Sequence, residues 1–219
     1  MYKLAKRALS AATAAATMLL VSCFSFEQDI WINKDGSGRA LIDMGMSKQM
    51  LEMAKGFGDA AGEGEDPFDI AAQKKKIEAD PNVTSVKVTE KDAGDMKHFI
   101  YDVEIKDMTK MGDIQKGILE DGPANGGDGP DNDFKIEKLP NGNYKIAGKI
   151  AGEEGAEAPD EAALGIMKPM FGDNAFTIRV HGPPVKHNGK LEGDTAVWSL
   201  KLIDMATGGK LDIEAEVKP

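Results

Sequence analysis

The sequence predicts an α+β domain: an antiparallel sheet of sequential hairpins with three to four helices packed on one face. Two observations carry this expectation. Segments alternating between apolar and polar residues arrive in pairs joined by tight Gly-, Asn- and Asp-rich turns, and apolar stripes at helical spacing interrupt the pairs. The composition agrees, because 219 residues with 41% hydrophobic and 29% charged side chains make a globular chain long enough to bury a core.

Phe24 to Asn33 alternates through Phe24, Phe26, Ile30 and Ile32, and Lys34-Asp35-Gly36-Ser37-Gly38 is a turn cluster. Arg39 to Met46 alternates again, with Ala40, Ile42, Met44 and Met46 on one side, so the two segments read as a hairpin. Ser47 can cap a helix whose stripe is Met50, Leu51, Met53, Ala54 and Phe57; Gly56 and Gly58 end it, and an acidic loop runs from Gly58 to Glu65. Asp66-Pro67 opens a second helix, expected from Pro67 to Ala79, and Asp80-Pro81 closes it.

Val83 to Lys91 and Met96 to Lys106 form the next hairpin, with Phe99, Tyr101, Val103 and Ile105 facing one way. A third helix is expected between Asp107 and Leu119, followed by an aperiodic loop from Asp121 to Asn132. Asp133 to Leu139 and Tyr144 to Ile150 flank Pro140-Asn141-Gly142-Asn143, a strong turn signal. Pro159 to Met167 reads as a short helix, and Ala175 to Val180, Ala196 to Ile203 and Leu211 to Val217 as three final strands. Residues 23–219 are read as one domain, since neither half on its own buries its sheet face.

The first 22 residues have the form of an export signal. Lys3, Lys6 and Arg7 precede the uncharged, mainly apolar stretch from Ala8 to Val21, which is too short for a comfortable bilayer span but suits a signal peptide. The stretch ends in Leu20-Val21-Ser22-Cys23, which resembles the lipobox of bacterial lipoproteins. That resemblance implies cleavage before Cys23, diacylglycerol on its sulfur and acylation of the new amino terminus. Cys23 is the chain's single cysteine, so an intramolecular disulfide is excluded, as is any zinc site of several cysteines. Losing the three signal cations leaves 24 basic against 37 acidic residues, a formal charge of −13. Such a chain is repelled by anionic lipid and by nucleic acid, so membrane attachment is expected to come from acyl chains. The alternation begins immediately after Cys23, so the domain is expected close to its membrane. Phe24 rather than Asp after the cysteine resembles the sorting pattern for the outer membrane, where the host has one.

No catalytic residues and no cofactor are expected, because no nucleophile elbow, acid/base pair or phosphate-binding loop stands out. His98, His181 and His187 read as solvated or loop-bonding histidines. Two metal readings stand as the alternative. Met-x-x-Met occurs at Met50/Met53, Met108/Met111 and Met167/Met170, and thioethers suit Cu(I); the plainer account is a buried helical face at i and i+3. The loop holding Asp121, Asp128, Asp131 and Asp133 comes close to one calcium-binding nonapeptide of the β-helix type, although unrepeated; the plainer account is a solvated acidic loop. No residue is therefore assigned to a metal.

Towards the carboxyl end the order is distinctive: Phe176 to Val185 across a Gly182-Pro183-Pro184 break, His187-Asn188-Gly189-Lys190 as a turn, then Asp194 to Leu200 around Trp198. With Asp35-Gly36-Ser37-Gly38 near the start, this order resembles the LppM-like domain of bacterial envelope lipoproteins. The resemblance implies a non-enzymatic envelope protein contacting lipids or glycolipids. The function expected is a lipid-anchored envelope module, with a membrane, a hydrophobic or lipid ligand, or an envelope protein as partner. Trp198 itself is expected to pack in the core, its indole N–H finding an acceptor.

Overall fold

In a computed structural model, the described residues are 24–52, 70–120, 133–151 and 174–219, with Leu164, Gly165, Lys168 and Phe171 between them. Among the described residues, eleven strands form two sheets. β1 (Phe24–Ile32) and β2 (Gly38–Ser47) are the expected hairpin, in continuous register from Phe24 opposite Met46 to Ile32 opposite Gly38. β3 (Val83–Ala93) and β4 (Met96–Ile105) form the second hairpin, with β4 paired to β2. β7 (Ala175–His181) lies parallel to β1, and β10 (Thr195–Lys201) and β9 (Lys190–Glu192) complete a seven-stranded sheet in the order β3-β4-β2-β1-β7-β10-β9. β5 (Asp133–Lys138), β6 (Tyr144–Ala151), β11 (Lys210–Val217) and β8 (Pro184–His187) form a four-stranded antiparallel sheet in the order β5-β6-β11-β8.

The expected single antiparallel sheet under three to four helices is therefore corrected. The described residues are mostly strand, in one mixed and one antiparallel sheet. The described helices are α1 (Ile70–Glu78), a 3-10 turn (Met108–Lys110) leading into α2 (Met111–Glu120), and the short α3 (Leu202–Ala206). α1 packs on β3, α2 on β5, and the two helices touch, so they cover only part of the first sheet's inner face and share the core with the second sheet. The reason is physical. Alternation reveals that one face of a strand is buried but not whether a helix or a second sheet buries it.

One hydrophobic cluster draws on both sheets, with Phe26, Ile30, Ile42, Met44 and Ile178 from the first, Ile146, Ile213 and Val217 from the second, and Met108, Met111 and Ile114 from the helical segment. Ala40, Ile42, Met44 and Met46 are buried as the alternation requires, as are Phe99, Tyr101, Val103 and Ile105. A row across the first sheet's inner face runs Tyr101–Ile42–Gln28–Ile178–Trp198. Its three polar groups each reach a different covering element. The Tyr101 hydroxyl donates to Gln73 of α1, Gln28 Nε2 donates to Gln115 Oε1 of α2 at 3.2 Å, and Trp198 Nε1 donates to Asn188 Oδ1 at 2.7 Å.

Several local expectations are confirmed by geometry. Ser47 Oγ accepts from the Met50 N–H at 3.2 Å as a helical turn starts, with 48–52 described. Gly36 and Gly142 turn two of the three predicted hairpin loops at φ +94 and +84, a region costly for residues bearing a Cβ. The predicted strand Ala196 to Ile203 ends instead at Lys201, where Leu202 and Ile203 enter α3. Strands β8 and β9 were absent from the expectation, because Pro183-Pro184 and Asn188-Gly189 read only as breaks. Residues 53–57 of the helix expected after Ser47 lie outside the described residues, as does the loop 121–132; of the helix expected from Pro159 to Met167 only Leu164 and Gly165 are described, and both are helical.

Candidate functional site

Cys23 also lies outside the described residues, but its neighbour does not. Phe24 is the first residue of β1, opposite Met46, and the Asn174 side chain donates to its carbonyl. β1 then continues between β2 and β7. Regular strand therefore starts one residue after Cys23, paired to β2 from Phe24 and to both β2 and β7 from Phe26.

The outer face of the seven-stranded sheet carries a polar network. Out-of-phase positions of β1, Glu27, Asp29 and Trp31, meet Thr177, Arg179 and His181 on β7 in parallel register. Asp29 Oδ1 lies 2.6 Å from His181 Nε2, and Thr195 Oγ1 lies 3.1 Å from His181 Nδ1. Arg179 bridges Glu27 at 2.7 Å and Asp29 at 3.6 Å. The Trp31 ring stacks on His181 with centroids 4.3 Å apart and planes within 4°, and the Arg39 guanidinium sits over the indole at 5.2 Å. Arg39 in turn grips Asp102 through two bonds of 2.6 and 2.8 Å, which holds the Asp102 carboxyl below its ordinary range. A second pair, Asp43 and His98, meets at 2.8 Å.

A hydroxyl, an imidazole and a carboxylate in series match the parts of a nucleophilic triad. Thr195, however, sits on a strand paired on both sides, to His181 and Glu192, so its local backbone serves the sheet ladders. A developing oxyanion needs free, convergent N–H donors. The arrangement thus positions side chains across β1, β7 and β10 and offers a charged, aromatic-centred surface. His181 was read from the sequence only as a solvated or loop-bonding histidine, and Asp29 and Trp31 were not singled out, because their meeting depends on the parallel β1–β7 pairing. Their only sequence signal was polar residues in phase with one another along a strand.

The remaining histidine, His187, bonds the Gly189 carbonyl at 2.9 Å, as a loop-bonding residue would. Met108 and Met111 are fully buried, and Met108 covers Gly38, where an added Cβ would stand 2.6 Å from its sulfur. This pair is core, as the plainer account held. Met50 is described without Met53, and Met167 and Met170 lie outside the described residues, as do Asp121, Asp128 and Asp131; Asp133 begins β5. Among the described residues no group of three or more His, Cys, Asp and Glu side chains is placed to hold a metal ion.

On the outer face of the four-stranded sheet, small Ala147 and Gly148 leave a groove of about 430 Å³ edged by Lys135, Asn188, Asp212 and Glu214. Its rim is charged and amide-bearing, which suits polar groups rather than an acyl chain. Among the described residues no helix is long and apolar enough to cross a membrane.

No family model matches the chain, and no curated protein matches it. Among solved structures, it is similar to the NMR structure of the folded domain of LppM from Mycobacterium tuberculosis, with a TM-score of 0.51 at 10% identity, over 91% of this chain and 92% of that one. At that identity the likeness is one of fold, and the fold is the one that the order of residues from Phe176 to Leu200 resembles.

Proposed function

We propose that this chain is a lipid-anchored protein of the bacterial cell envelope, acylated on Cys23, whose domain is a non-catalytic binding or structural module. The observation that carries the reading is the start of β1 at Phe24. A lipobox cysteine joined directly to a central strand suits a module that works at the membrane surface. The likeness in fold to the LppM folded domain supports the same reading. Two or more acyl chains on Cys23 give stable anchoring despite the formal charge of −13 left by 24 basic and 37 acidic residues. The outer membrane is the proposed location where the host has one, from Phe24 at the position after the cysteine.

The module's surfaces favour polar and protein contacts. The network around Trp31 and His181 and the groove at Ala147 both present charge. A hydrophobic ligand is tested by native mass spectrometry of the lipoprotein, where it adds a non-covalent, lipid-sized mass beyond that of the acyl chains. The anchor is tested by Cys23→Ser. The expected outcome is loss of incorporated palmitate and release from the membrane fraction; a variant that keeps both overturns the proposal.

A further inference from the structure

We infer that the Phe24 end of the seven-stranded sheet is the lipid-facing end of the protein, so that the sheet stands edge-on with its strands rising from the phospholipid headgroups. The inference rests on the acylation of Cys23 proposed above. Consecutive Cα atoms are about 3.8 Å apart, so an acylated Cys23 leaves no residue to act as spacer before β1.

The register identifies what shares that end. Met46 lies opposite Phe24, Met96 opposite Ser47 and Ala175 opposite Lys201. The 48–52 turn is tied down there, with the Lys48 N–H donating to the Asp95 carbonyl at 2.8 Å and Lys48 Nζ to the Gly94 carbonyl at 3.1 Å. Met50, 39% exposed, is the large apolar side chain presented at this end among the described residues.

Exposure alone would choose a different surface. Val185 is 60% and Leu191 51% exposed. Leu191, though, pairs with Ala196, which is opposite Val180, which is opposite Ile30. Ile30 is six residues along β1 from Phe24, about 20 Å at the rise of a strand. The Asn33–Ser37 turn lies further still.

The test uses the full lipoprotein, extracted from bacterial membranes and reconstituted in vesicles of phosphatidylethanolamine and phosphatidylglycerol carrying a shallow doxyl-lipid quencher. Because the single cysteine is acylated, Met50→Cys, Asp35→Cys and Val185→Cys each supply one thiol for a bimane label. The expected result is quenching at position 50, with no loss of fluorescence at 35 or 185. A Gly/Ser spacer inserted between Cys23 and Phe24 should weaken the quenching at 50 without releasing the protein. Vesicle-bound protein quenched equally or more at 185 or 35, or unquenched at 50, overturns the orientation alone. Protein whose intact mass shows unmodified Cys23 and that fails to float with the vesicles overturns the anchor, and the orientation with it.

Discussion

The indole N–H of Trp198 donates to the side-chain oxygen of Asn188 at 2.7 Å, across the seam where the two sheets meet. The same oxygen accepts from the Glu214 N–H at 2.9 Å, and Asn188 Nδ2 donates to the Asp212 carbonyl at 3.0 Å. Trp198 belongs to β10 of the larger sheet and Glu214 to β11 of the smaller, so one asparagine joins them. Asn188→Ala is expected to cost about 1 kcal/mol, the usual net worth of a hydrogen bond, because the indole N–H it leaves is only part-buried. Urea denaturation followed by Trp fluorescence measures it. Gly189→Ala should be comparably harmful, since a Cβ there would stand 2.7 Å from both the Trp198 ring and the Val197 carbonyl.

Gln28 is wholly buried, and its Oε1 has no hydrogen-bond partner among the described residues, while its Nε2 donates to Gln115. Gln115→Leu alone is expected to destabilise by about 1–3 kcal/mol, because it leaves the whole Gln28 amide buried and unmatched. Adding Gln28→Leu should recover most of that loss. The two single variants and the double, compared by thermal denaturation, give the coupling directly.

Burial pushes the Tyr101 phenol up to about 12, with the Glu90 charge adding to the shift. The folded chain therefore holds this proton where the unfolded chain, with its phenol near 10, has released it. The contribution to stability is complete below pH 10 and is lost as pH rises from 10 to about 12. Urea midpoints measured at stepped pH should fall across that window, and Tyr101→Phe should flatten the fall.

The Arg39 bonds keep Asp102 ionised below its ordinary range. Its contribution is present above a pH near 4 and is lost as pH falls through the lowered value. The side chains are 46% and 30% exposed, so Arg39→Ala is expected to cost less than about 1 kcal/mol at neutral pH. That difference should shrink in acid, as paired denaturation curves of the two proteins would show.

Replacing Met108 and Met111 together by Leu tests the copper reading where the geometry opposes it. Both side chains fill the core, and volume-conserving swaps there usually cost under about 1.5 kcal/mol each. The variant should fold and leave the copper tolerance of its host unchanged.

What the sequence made legible was local. Alternation located β1 to β7, β10 and β11 within a few residues, because burying one face of a strand writes a period of two into the chain. Trp198 and the Asn188-Gly189 turn were each recognisable, and the need of a buried indole for an acceptor anticipated a bond without naming its partner. Pairing over long distances left no such trace. Ile30 and Val180 face each other across β1 and β7, yet nothing in either segment specifies the other, and a parallel partner has no turn to announce it. Hence the second sheet and the Asp29–His181–Thr195 network were missed together. Both follow from where β7 enters, beside β1, which a hairpin-by-hairpin reading leaves as an edge.

That parallel pair has a consequence for how the protein is made. Synthesis runs amino end first, so β1 and β2 can zip together early, while the other edge of β1 waits for residues 176–181. Contacts such as Asp29 to His181, 152 positions apart, close late and at a large cost in loop entropy. Until then Phe26 to Trp31 is a bare strand edge and a template for mispairing. The slow step in maturation of this protein is therefore expected to be the arrival of its seventh strand beside its first.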